Sequence, residues 1–419
     1  MTPVKTVRRA GAGPGPTPAP AVVVFSGGGT GGHLYPALAL ADAMEKVVPG
    51  LRTFFVGARR GLEARILPRR GREHLLLPVE GFKRDRLLAN IRVVANLAIS
   101  FLAVLRAFLS RRPGLVVVTG GYAGGPAGLA AALLRIPLAL QEQNAVPGVT
   151  TRWLARVARE IHVAFPEASH HLPAGARDRV RVSGNPIEPP APVDRREAIP
   201  HFGLDPSLPV VLVVGGSQGS LALNRGLLAA VGAAQSQAPE APGFQILWST
   251  GPTHLEEVQA RLTEVGSPDW VRPVAYIDEM PRALGIASLA VSRAGAMATS
   301  EFLAWGIPSI LVPLPTAAAD HQRKNAAALE EAGAAVLVPE DELDGPDLLR
   351  RLLALMTDPE RLDGMARCAR DRGRPHAARD IAHALARLLP PASPRTGEAT
   401  PRARDPHRTG DPPATPEAS

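Results

Sequence analysis

Cysteine is nearly absent from the chain: Cys368 is the one cysteine among 419 residues. A single thiol excludes an intramolecular disulfide and a zinc site built on several cysteines. The sequence also lacks an Asp-x-Asp pair, a His-Glu-x-x-His motif and any cluster of cysteine with histidine. Because side chains at such spacings commonly bind catalytic metals, we expect neither a metal site nor another resident cofactor.

Long apolar segments are missing as well. A charge-free apolar run covers residues 93–105, and Arg92 and Arg106 bound it. These 13 residues fall short of the roughly 20 that a membrane-spanning helix needs, so we expect no such helix. Residues 1–20 carry positive charges followed by glycine, proline and alanine rather than an apolar core, so we expect no secretory signal.

Positive charge is concentrated in one part of the chain. The formal net charge is +8, and residues 51–112 hold 14 lysine or arginine residues against four acidic ones, a local charge of +10. Such a basic window is typical of a surface that meets nucleic acid, a phosphate-bearing substrate or an anionic lipid, and equally of a solvated face.

Strand-like apolar runs followed by glycine turns and helical stretches occur twice, at residues 21–44 and 209–231. Continuous Val/Leu runs indicate strands buried on both faces, as in parallel sheets. The sequence therefore predicts an α/β protein with two Rossmann-like parallel-sheet domains facing a cleft.

The domain boundary is predicted in the proline-rich stretch 183–194, because proline fixes φ and has no N–H to donate. The Gly/Pro-rich ends have no apolar periodicity, so we expect them to be disordered. The final helix, about residues 376–389, fits either domain, and we group it with the second. The predicted organisation is a disordered tail, an N-terminal domain, a C-terminal domain and a disordered tail: residues 1–20, 21–186, 187–389 and 390–419.

The first glycine turn is GGGTGGH at residues 27–33, between a β-branched run and a helix. Adjacent glycines let the backbone approach a ligand, and a helix N-terminus offers unpaired N–H groups to an anion. No acidic residue follows at the end of the next strand to hold a ribose, and no Lys-Ser/Thr pair follows. The turn is therefore neither a dinucleotide fingerprint nor a Walker A loop. Thr30 supplies a hydroxyl, and His33 an imidazole suited to accept a proton near neutral pH.

Two turns repeat this arrangement in the second half of the chain. Residues 215–219 read GGSQG and offer Ser217 as a donor, while residues 292–301 read SRAGAMATSE and start a helix near Ala296. Either helix N-terminus can face a diphosphate. Glu301 can accept two hydrogen bonds from vicinal ribose hydroxyls, and it is also simply a favourable acid near a helix start.

Amide side chains give two weaker signals. Residues 141–148 read QEQNAVPG, whose amide groups suit sugar hydroxyls, although an Asn before a turn is also ordinary turn chemistry. Residues 319–327 read ADHQRKNAA and place Gln322 and Asn325 on one face of a predicted helix.

These motifs occur in the order and spacing of one enzyme family. The set comprises GGGTGGHLYPALALA, TGGYAGGPA, QEQNAVPG, SGNP, GGSQGS, YIDEM, SRAGAMATSE and DHQRKNA, within about residues 21–389. The chain resembles the bacterial UDP-N-acetylglucosamine–N-acetylmuramyl-(pentapeptide) pyrophosphoryl-undecaprenol N-acetylglucosaminyltransferases, the MurG family. The resemblance implies a GT-B fold and inverting, metal-independent transfer of N-acetylglucosamine (GlcNAc) from UDP-GlcNAc to the C4 hydroxyl of the lipid-linked muramyl pentapeptide. This reaction belongs to peptidoglycan synthesis at the cytoplasmic face of the cell membrane.

The resemblance also implies roles for individual residues. His33 matches the family's candidate base, and Glu142 is a second candidate because its carboxylate lies beside Asn144. Glu301 matches an acid that binds the ribose, with UDP held mainly by the C-terminal domain. The other residues expected to line the cleft or bind substrate are Thr30, Gly31, Gly32, Asn144, Ser217, Ile277, Ala296, Met297, Ala298, Thr299, Ser300 and Gln322.

Three positions depart from the family pattern. Glu188 stands where the family usually has an arginine near the nucleotide, and a carboxylate cannot replace that positive contact. Ala298 stands where threonine is common, and Thr151 where asparagine is common. We therefore assign no substrate contact to Glu188.

The basic window fits peripheral docking on an anionic leaflet, because Lys83, Arg84 and Arg86 precede the apolar run 93–105. A core helix with solvated flanks explains the same segment, and both interpretations can hold together. With this resemblance we expect a membrane partner and no nucleic acid.

Three other functions fit parts of the pattern. A nicotinamide-dependent dehydrogenase would also use two Rossmann-like halves, but the ribose-binding acid after the first loop is missing. A non-catalytic module for UDP-sugars or membranes would not need His33. A UDP-sugar epimerase would turn over UDP-GlcNAc without any lipid, and we keep the last two as alternatives.

Overall fold

The computed structural model describes residues 21–29, 31–80, 87–237 and 242–391. Of residues 87–91 it describes the backbone alone. The segments predicted to be disordered, residues 1–20 and the chain from residue 392 onward, lie outside the described residues, as does Thr30 of the first glycine turn. Residues 21–389 form one unit built of two lobes.

The first lobe contains a fully parallel sheet of seven strands. After each strand, a crossover connection returns the chain to the end of the sheet where the strands begin, so every strand runs in the same direction. Its strands are β1 (Val22–Gly28), β2 (Arg52–Ala58), β3 (His74–Leu77), β4 (Leu115–Gly120), β5 (Leu138–Glu142), β6 (Glu160–Val163) and β7 (Val180–Val182). Their order in the sheet is β3-β2-β1-β4-β5-β6-β7. The connecting helices are α1 (Gly31–Val47), α2 (Glu63–Arg69), α3 (Leu87–Arg111), α4 (Gly121–Leu133) and α5 (Val149–Leu154).

The second lobe contains a fully parallel sheet of six strands in the order β10-β9-β8-β11-β12-β13. These are β8 (Val210–Val214), β9 (Gln245–Ser249), β10 (Val271–Val274), β11 (Ala287–Ser292), β12 (Ser309–Leu311) and β13 (Ala335–Leu337). Its helices are α6 (Arg195–His201), α7 (Leu221–Gln237), α8 (Leu255–Glu264), α9 (Met280–Ile286), α10 (Ala296–Trp305), α11 (His321–Glu331), α12 (Gly345–Met356) and α13 (Pro359–Arg372). The predicted α/β class with two Rossmann-like sheets is thereby confirmed.

Helices cover both faces of the first sheet, which is why its central strands β1, β4 and β5 each begin with a continuous apolar run. Along β1, Val24 belongs to the core on the α3–α4 side, whereas Val23 and Phe25 belong to the core on the α1 side. Alternate residues of a strand point to opposite faces, so a continuous apolar run satisfies both cores.

The last helix of the described chain, α14 (Ala377–Ala386), packs on α1 of the first lobe. Ala377, Ile381 and Leu385 are buried in the same core as Leu34 and Leu38 of α1. This packing attaches α14 to the first lobe, in contrast to the predicted grouping with the second domain. The chain therefore crosses from the second lobe back to the first after α13.

Residues 183–194 contain no helix or strand and connect β7 to α6. The lobes also meet where Arg372 of α13 and Glu167 of the first lobe form an ion pair at 2.5 Å. The guanidinium carbon of Arg372 lies 5.9 Å from the ring centre of Phe165, two residues before Glu167 in sequence. Charge pairing and ring contact thus hold α13 against the first lobe.

Helix α3 is amphipathic in the part whose side chains are described. Val93, Val104 and Phe108 are buried, while Leu97 and Leu102 are exposed. By length and composition alone, the 20-residue segment Arg92–Arg111 could cross a membrane, with a mean hydropathy of 2.0. Because Val104 and Phe108 lie in the core of the first lobe, one face of α3 is part of this domain.

A buried histidine on β6 predicts acid sensitivity of the fold. His162 is almost fully buried, and its Nδ1 lies 2.8 Å from the hydroxyl of Ser183. Burial, aided by the charge of Arg181, lowers the pKa of His162 from 6.5 to about 4. Between these pH values the unfolded chain binds the proton more readily, so folding stability falls as the pH falls.

The expected loss is about 3 kcal/mol between pH 6.5 and 4, since each pKa unit corresponds to about 1.4 kcal/mol. Urea unfolding across this range should show a smaller loss for His162→Gln, which cannot take up a proton. Equal pH slopes for the two proteins would contradict this prediction.

Candidate active site

The first glycine turn lies where the first sheet changes direction. β1 pairs with both β2 and β4. The connection that follows β1 packs on one face of the sheet, and the connection that follows β4 packs on the other face. In open α/β sheets, the crevice beyond the carboxyl ends of two such strands is where ligands bind. Gly31 and Gly32 begin α1 at this point, and Gly32 is exposed.

His33 is held in this crevice by hydrogen bonds to one ring nitrogen. Its Nδ1 lies 2.9 Å from the carbonyl oxygen of Thr119 and 2.8 Å from Oε1 of Gln143. The amide nitrogen of Gln143 donates to the carbonyl oxygens of Thr119 and Gln141, both at 2.9 Å, which directs Oε1 toward the imidazole. Since both partners of Nδ1 are acceptors, Nδ1 carries the proton and Nε2 keeps a lone pair. Neutral His33 is therefore in the tautomer that can act as a base through Nε2.

Gly120, at the end of β4, makes room for this imidazole. Its φ of +105° is a conformation that side chains rarely allow, and a Cβ atom there would lie 2.8 Å from Nδ1 and Cε1 of His33. The backbone beside His33 thus requires glycine on two separate grounds.

Glu142, the second candidate base, is buried and already accepts three hydrogen bonds. Its Oε1 accepts from the backbone N–H of Asn144 at 3.2 Å and from the side-chain amide of Asn144 at 3.3 Å. Its Oε2 accepts from the N–H of Gly148 at 3.2 Å. The carboxylate therefore shapes the 142–148 turn, and abstraction of a substrate proton would have to compete with these bonds.

The nucleotide-binding turn predicted in the second lobe is the first part of α10, which begins at Ala296 as expected. The hydroxyl of Thr299 donates within this turn, to the carbonyl oxygens of Gly295 and Ala296, both at 3.1 Å. Ser300 accepts a hydrogen bond from Asn185 of the linker at 2.9 Å. The turn is thus held by its own threonine and by the linker.

Glu301 follows directly in α10, and burial raises the pKa of its carboxyl group to about 7. The negative charge of Glu188 is the second cause of this rise. The linker bonds of Asn185 to α10 explain the proximity, since Glu188 lies three residues further along. The departure noted at position 188 therefore places a carboxylate, rather than a cation, beside the predicted ribose-binding acid.

Helix α11 joins the two lobes at the same end. Asn325 is fully buried, and its Oδ1 accepts from the N–H of Ala145 at 2.9 Å. Its Nδ2 donates to Oδ1 of Asn144 at 3.2 Å and to the carbonyl oxygen of Ala294 at 3.3 Å. Because Ala145 follows β5 and Ala294 follows β11, the carboxyl ends of the two sheets face each other. The bonds to Glu142 and Asn325 use one N–H and one lone pair of the Asn144 side-chain amide, which leaves the other N–H and lone pair for a sugar.

His321 begins α11, one helical turn before Asn325. Burial lowers the pKa of His321. A hydrogen bond with the Ala318 backbone opposes this shift, and the charge of His33 adds to it, while the charges of Glu142 and Asp320 oppose it. These contributions show that His321, an imidazole of the other lobe, lies near both candidate bases. Gln322, the predicted sugar contact, accepts the N–H of Leu314 at 3.0 Å through its Oε1, which leaves its NH₂ group as the donor for a ligand.

The remaining predicted residues lie on the second lobe. Ser217 is exposed on the loop between β8 and α7. The Ile277 side chain is buried in the core beside β8, so only its backbone is suited to contact a base. Met297 and Ala298 are partly buried in the first turn of α10.

Sequence reasoning missed four residues that shape this site: Glu63, Gln143, Asn185 and His321. Glu63 is buried and its Oε1 accepts the N–H of Gly29 at 2.7 Å, which anchors the first glycine turn from α2. Burial raises the pKa of the Glu63 carboxyl group. Gln143, Asn185 and His321 belong to motifs that the sequence had already singled out, whereas their hydrogen-bond partners could not be identified from the sequence.

Within the described ranges, no group of three or more His, Cys, Asp or Glu side chains is arranged to hold a metal ion.

Both halves of the chain match models of a glycosyltransferase family. Residues 23–163 match the N-terminal domain of glycosyltransferase family 28, and residues 210–385 match its C-terminal domain. The fold and these matches define a two-domain glycosyltransferase.

Curated relatives narrow this class. The UDP-N-acetylglucosamine–N-acetylmuramyl-(pentapeptide) pyrophosphoryl-undecaprenol N-acetylglucosamine transferase of Chlorobaculum parvum is 42% identical over 363 residues, which cover 86% of this chain and 97% of the relative. The chain belongs to this transferase family, the MurG family, as its motifs predicted.

Solved structures agree with this assignment. A crystal structure of MurG from Acinetobacter baumannii superposes with a TM-score of 0.72 at 28% identity, covering 88% of this chain and 100% of that chain. This confirms the predicted GT-B fold. A UDP-GlcNAc 2-epimerase from Neisseria meningitidis shares the fold at 15% identity and a TM-score of 0.57, covering 88% of this chain and 100% of that chain.

Proposed function

We propose that this protein transfers GlcNAc from UDP-GlcNAc to the C4 hydroxyl of undecaprenyl-pyrophosphoryl-MurNAc-pentapeptide, with inversion at the anomeric carbon. A bond forms between the acceptor oxygen and C1 of GlcNAc, the bond from C1 to the diphosphate breaks, and UDP leaves. The acceptor proton passes to a base on the side opposite UDP. Membership in the transferase family supports both substrates.

The observation that carries this proposal is the orientation of His33. Hydrogen bonds from Nδ1 to Thr119 and Gln143 leave Nε2 free to take the proton. An imidazole in this role contributes typically 10²- to 10⁴-fold to the rate. His33 belongs to the first lobe and α10 to the second, which supports attack and departure from opposite sides.

The second lobe would bind UDP through its glycine turn and the start of α10. Ser217 and residues 296–300 would contact the diphosphate, and the N-terminus of α10 favours the charge that develops on the leaving group. Glu301 would hold the ribose, the backbone of Ile277 the uracil, and Asn144 and Gln322 the sugar. Thr30, Gly31 and Gly32 would line the cleft between donor diphosphate and acceptor.

One assay separates this function from its alternatives. UDP release from UDP-GlcNAc is measured with and without the lipid-linked muramyl pentapeptide, and the lipid product is analysed by mass. We expect UDP release and a lipid heavier by one GlcNAc only when the acceptor is present. Conversion of UDP-GlcNAc without lipid would indicate an epimerase instead, and tight binding without turnover would indicate a non-catalytic module.

The same family assignment supports a peripheral location at the cytoplasmic face of the membrane, and we propose that α3, α4 and α5 of the first lobe dock there. These helices are neighbours, and each exposes large apolar side chains. Arg152 and Arg156 flank Trp153, and the Arg156 guanidinium lies 4.9 Å from the ring centre of Trp153. Exposed apolar groups next to cations are typical of a surface that meets anionic lipid. Lys83, Arg84 and Arg86, the cations that the sequence suggested for docking, lie outside the described residues.

A double change tests this surface. Leu102 and Trp153 are 62% and 67% exposed, so replacing both by serine should leave the fold intact. Binding to vesicles containing phosphatidylglycerol should weaken by about tenfold or more, because burying each large apolar side chain is worth about 1.5–3 kcal/mol.

The matched control is Tyr276→Ser, a large exposed side chain on the second lobe, which should bind vesicles like the unchanged protein. Neutral vesicles should bind all three proteins weakly. Unaltered binding of the Leu102→Ser, Trp153→Ser variant to anionic vesicles would refute the docking surface.

A further inference from the structure

A line of buried amide side chains runs from His33 in the first lobe to α10 in the second. We name Gln143, Gln141 and Asn185 the amide relay. His33 Nδ1 donates to Gln143 Oε1 at 2.8 Å, Gln143 Nε2 to Gln141 Oε1 at 2.5 Å, and Gln141 Nε2 to Asn185 Oδ1 at 3.0 Å. Asn185 Nδ2 donates to the hydroxyl oxygen of Ser300 at 2.9 Å. In each of these four bonds the donor lies on the His33 side and the acceptor on the α10 side.

The direction of the relay is set by bonds at its sides. Gln143 Nε2 also donates to the carbonyl oxygen of Thr119 at 2.9 Å, and Asn185 Nδ2 also donates to that of Ala296 at 3.2 Å. Turning either amide around would bring two acceptors together. All three relay residues are about 1% exposed, so no water can compensate at low cost. A buried polar group without its partner costs about 1–3 kcal/mol, which keeps the relay in one orientation.

We propose that the amide relay positions His33 and couples its imidazole to the seating of the donor-binding helix α10. The inference rests on the proposed role of His33 as base. When Nε2 takes the acceptor proton, the ring becomes cationic and its Nδ1–H becomes a stronger donor. Aligned hydrogen bonds polarise one another, so the relay stabilises this cation along its whole length. Because Ser300 belongs to the other lobe, the relay is complete only when α10 rests against the linker.

Gln141 is the position at which to cut the relay. Its side chain bonds to Gln143, Asn185 and the carbonyl oxygen of Glu142, and to neither His33 nor α10. Gln141→Met keeps the length of the side chain and removes the central link. The ring ¹⁵N signals of His33 are followed in full-length protein with labelled histidine, and they are assigned by their loss in His33→Ala.

In the unchanged protein, UDP bound to the second lobe should move the His33 ring signals. Gln141→Met should bind UDP with nearly the same affinity. The change in the His33 ¹⁵N chemical shifts on UDP binding should be smaller by half or more than in the unchanged protein. The kcat of GlcNAc transfer should fall by roughly tenfold to 100-fold with little change in the KM for UDP-GlcNAc, because a small misplacement of a catalytic group costs about that much.

Gln245→Met is the matched control. Gln245 is a buried glutamine of β9, and its Nε2 donates to the carbonyl oxygen of Asp205 at 2.6 Å, outside the relay. The Gln245→Met variant should lose about as much folding stability as Gln141→Met, but its His33 ¹⁵N signals should still respond to UDP. If Gln141→Met does not fold, Asn185→Ala removes both the acceptor of Gln141 and the donor to Ser300, and it is measured in the same way.

Two results would overturn the relay: an unchanged response of His33 to UDP in Gln141→Met, or no response in the unchanged protein. A kcat of Gln141→Met equal to that of Gln245→Met would overturn its positioning role. The proposed base fails separately, if His33→Ala keeps its kcat. In that case a lost ¹⁵N response in Gln141→Met would still establish the coupling between the lobes.

Discussion

Replacing His33 by alanine is expected to lower the kcat of GlcNAc transfer by roughly 10²- to 10⁴-fold. The imidazole is the group whose Nε2 can take the acceptor proton, since Nδ1 is held by Thr119 and Gln143. UDP affinity should stay nearly unchanged, because the proposed donor contacts lie mainly on the second lobe. Steady-state kinetics with the lipid-linked acceptor and calorimetry with UDP measure the two effects. With UDP-GlcNAc saturating, the acidic limb of the pH profile of kcat should disappear as well.

His74→Ala is the matched control for this prediction. His74 also places its Nδ1 against a backbone carbonyl, that of Arg72 at 2.7 Å, but it lies on the edge strand β3. Its kcat should remain near that of the unchanged protein. Near-normal activity of His33→Ala together with inactive Glu142→Gln would move the base to Glu142.

Activity in both His33→Ala and Glu142→Gln would leave proton removal to solvent or to the diphosphate. Catalysis would then depend on positioning and on stabilisation of the leaving group. The three hydrogen bonds that Glu142 accepts predict a different defect for Glu142→Gln: a loss of stability from a disordered 142–148 turn.

Replacing Glu301 by alanine is expected to raise the KM for UDP-GlcNAc by about 10- to 150-fold, with a smaller effect on kcat. Hydrogen bonds from the ribose hydroxyls to a carboxylate are worth about 1.5–3 kcal/mol. Burial, and then the charge of Glu188, raise the pKa of Glu301 to about 7. The ionised form is therefore lost as the pH falls below about 7, and the KM for the donor should rise there.

Glu188→Gln separates the two causes of this pH dependence. It removes the neighbouring negative charge and keeps the burial, so the rise in donor KM should begin at a lower pH than in the unchanged protein. Glu264→Gln, an exposed carboxylate of α8 paired with Arg261, is the control and should leave the pH dependence as it is. A folded Glu301→Ala variant with an unchanged donor KM would remove Glu301 from the nucleotide site.

The fold class and the three glycine or small-residue turns could be predicted from local sequence. A β-branched run, a glycine turn and a helix start are set by nearby residues, so their placement in the structure followed the pattern. His33 was a candidate for the same reason, because it directly follows the first turn. Long-range contacts were not accessible in this way, as Asn144 shows: no local pattern indicated that its amide would bind Asn325, which lies 181 residues away.

The sequence by itself determined that this protein has two parallel α/β lobes and that a histidine follows a glycine turn in the first. Only the tertiary structure decided which tautomer that histidine adopts, because Thr119 and Gln143 lie 86 and 110 residues away. The tertiary structure also decided that α14 packs on the first lobe. An apolar helix face indicates that the face will be buried, but it does not indicate which surface will cover it. Hydrophobic burial has no direction of its own, and a hydrogen bond needs a partner whose position the whole fold supplies.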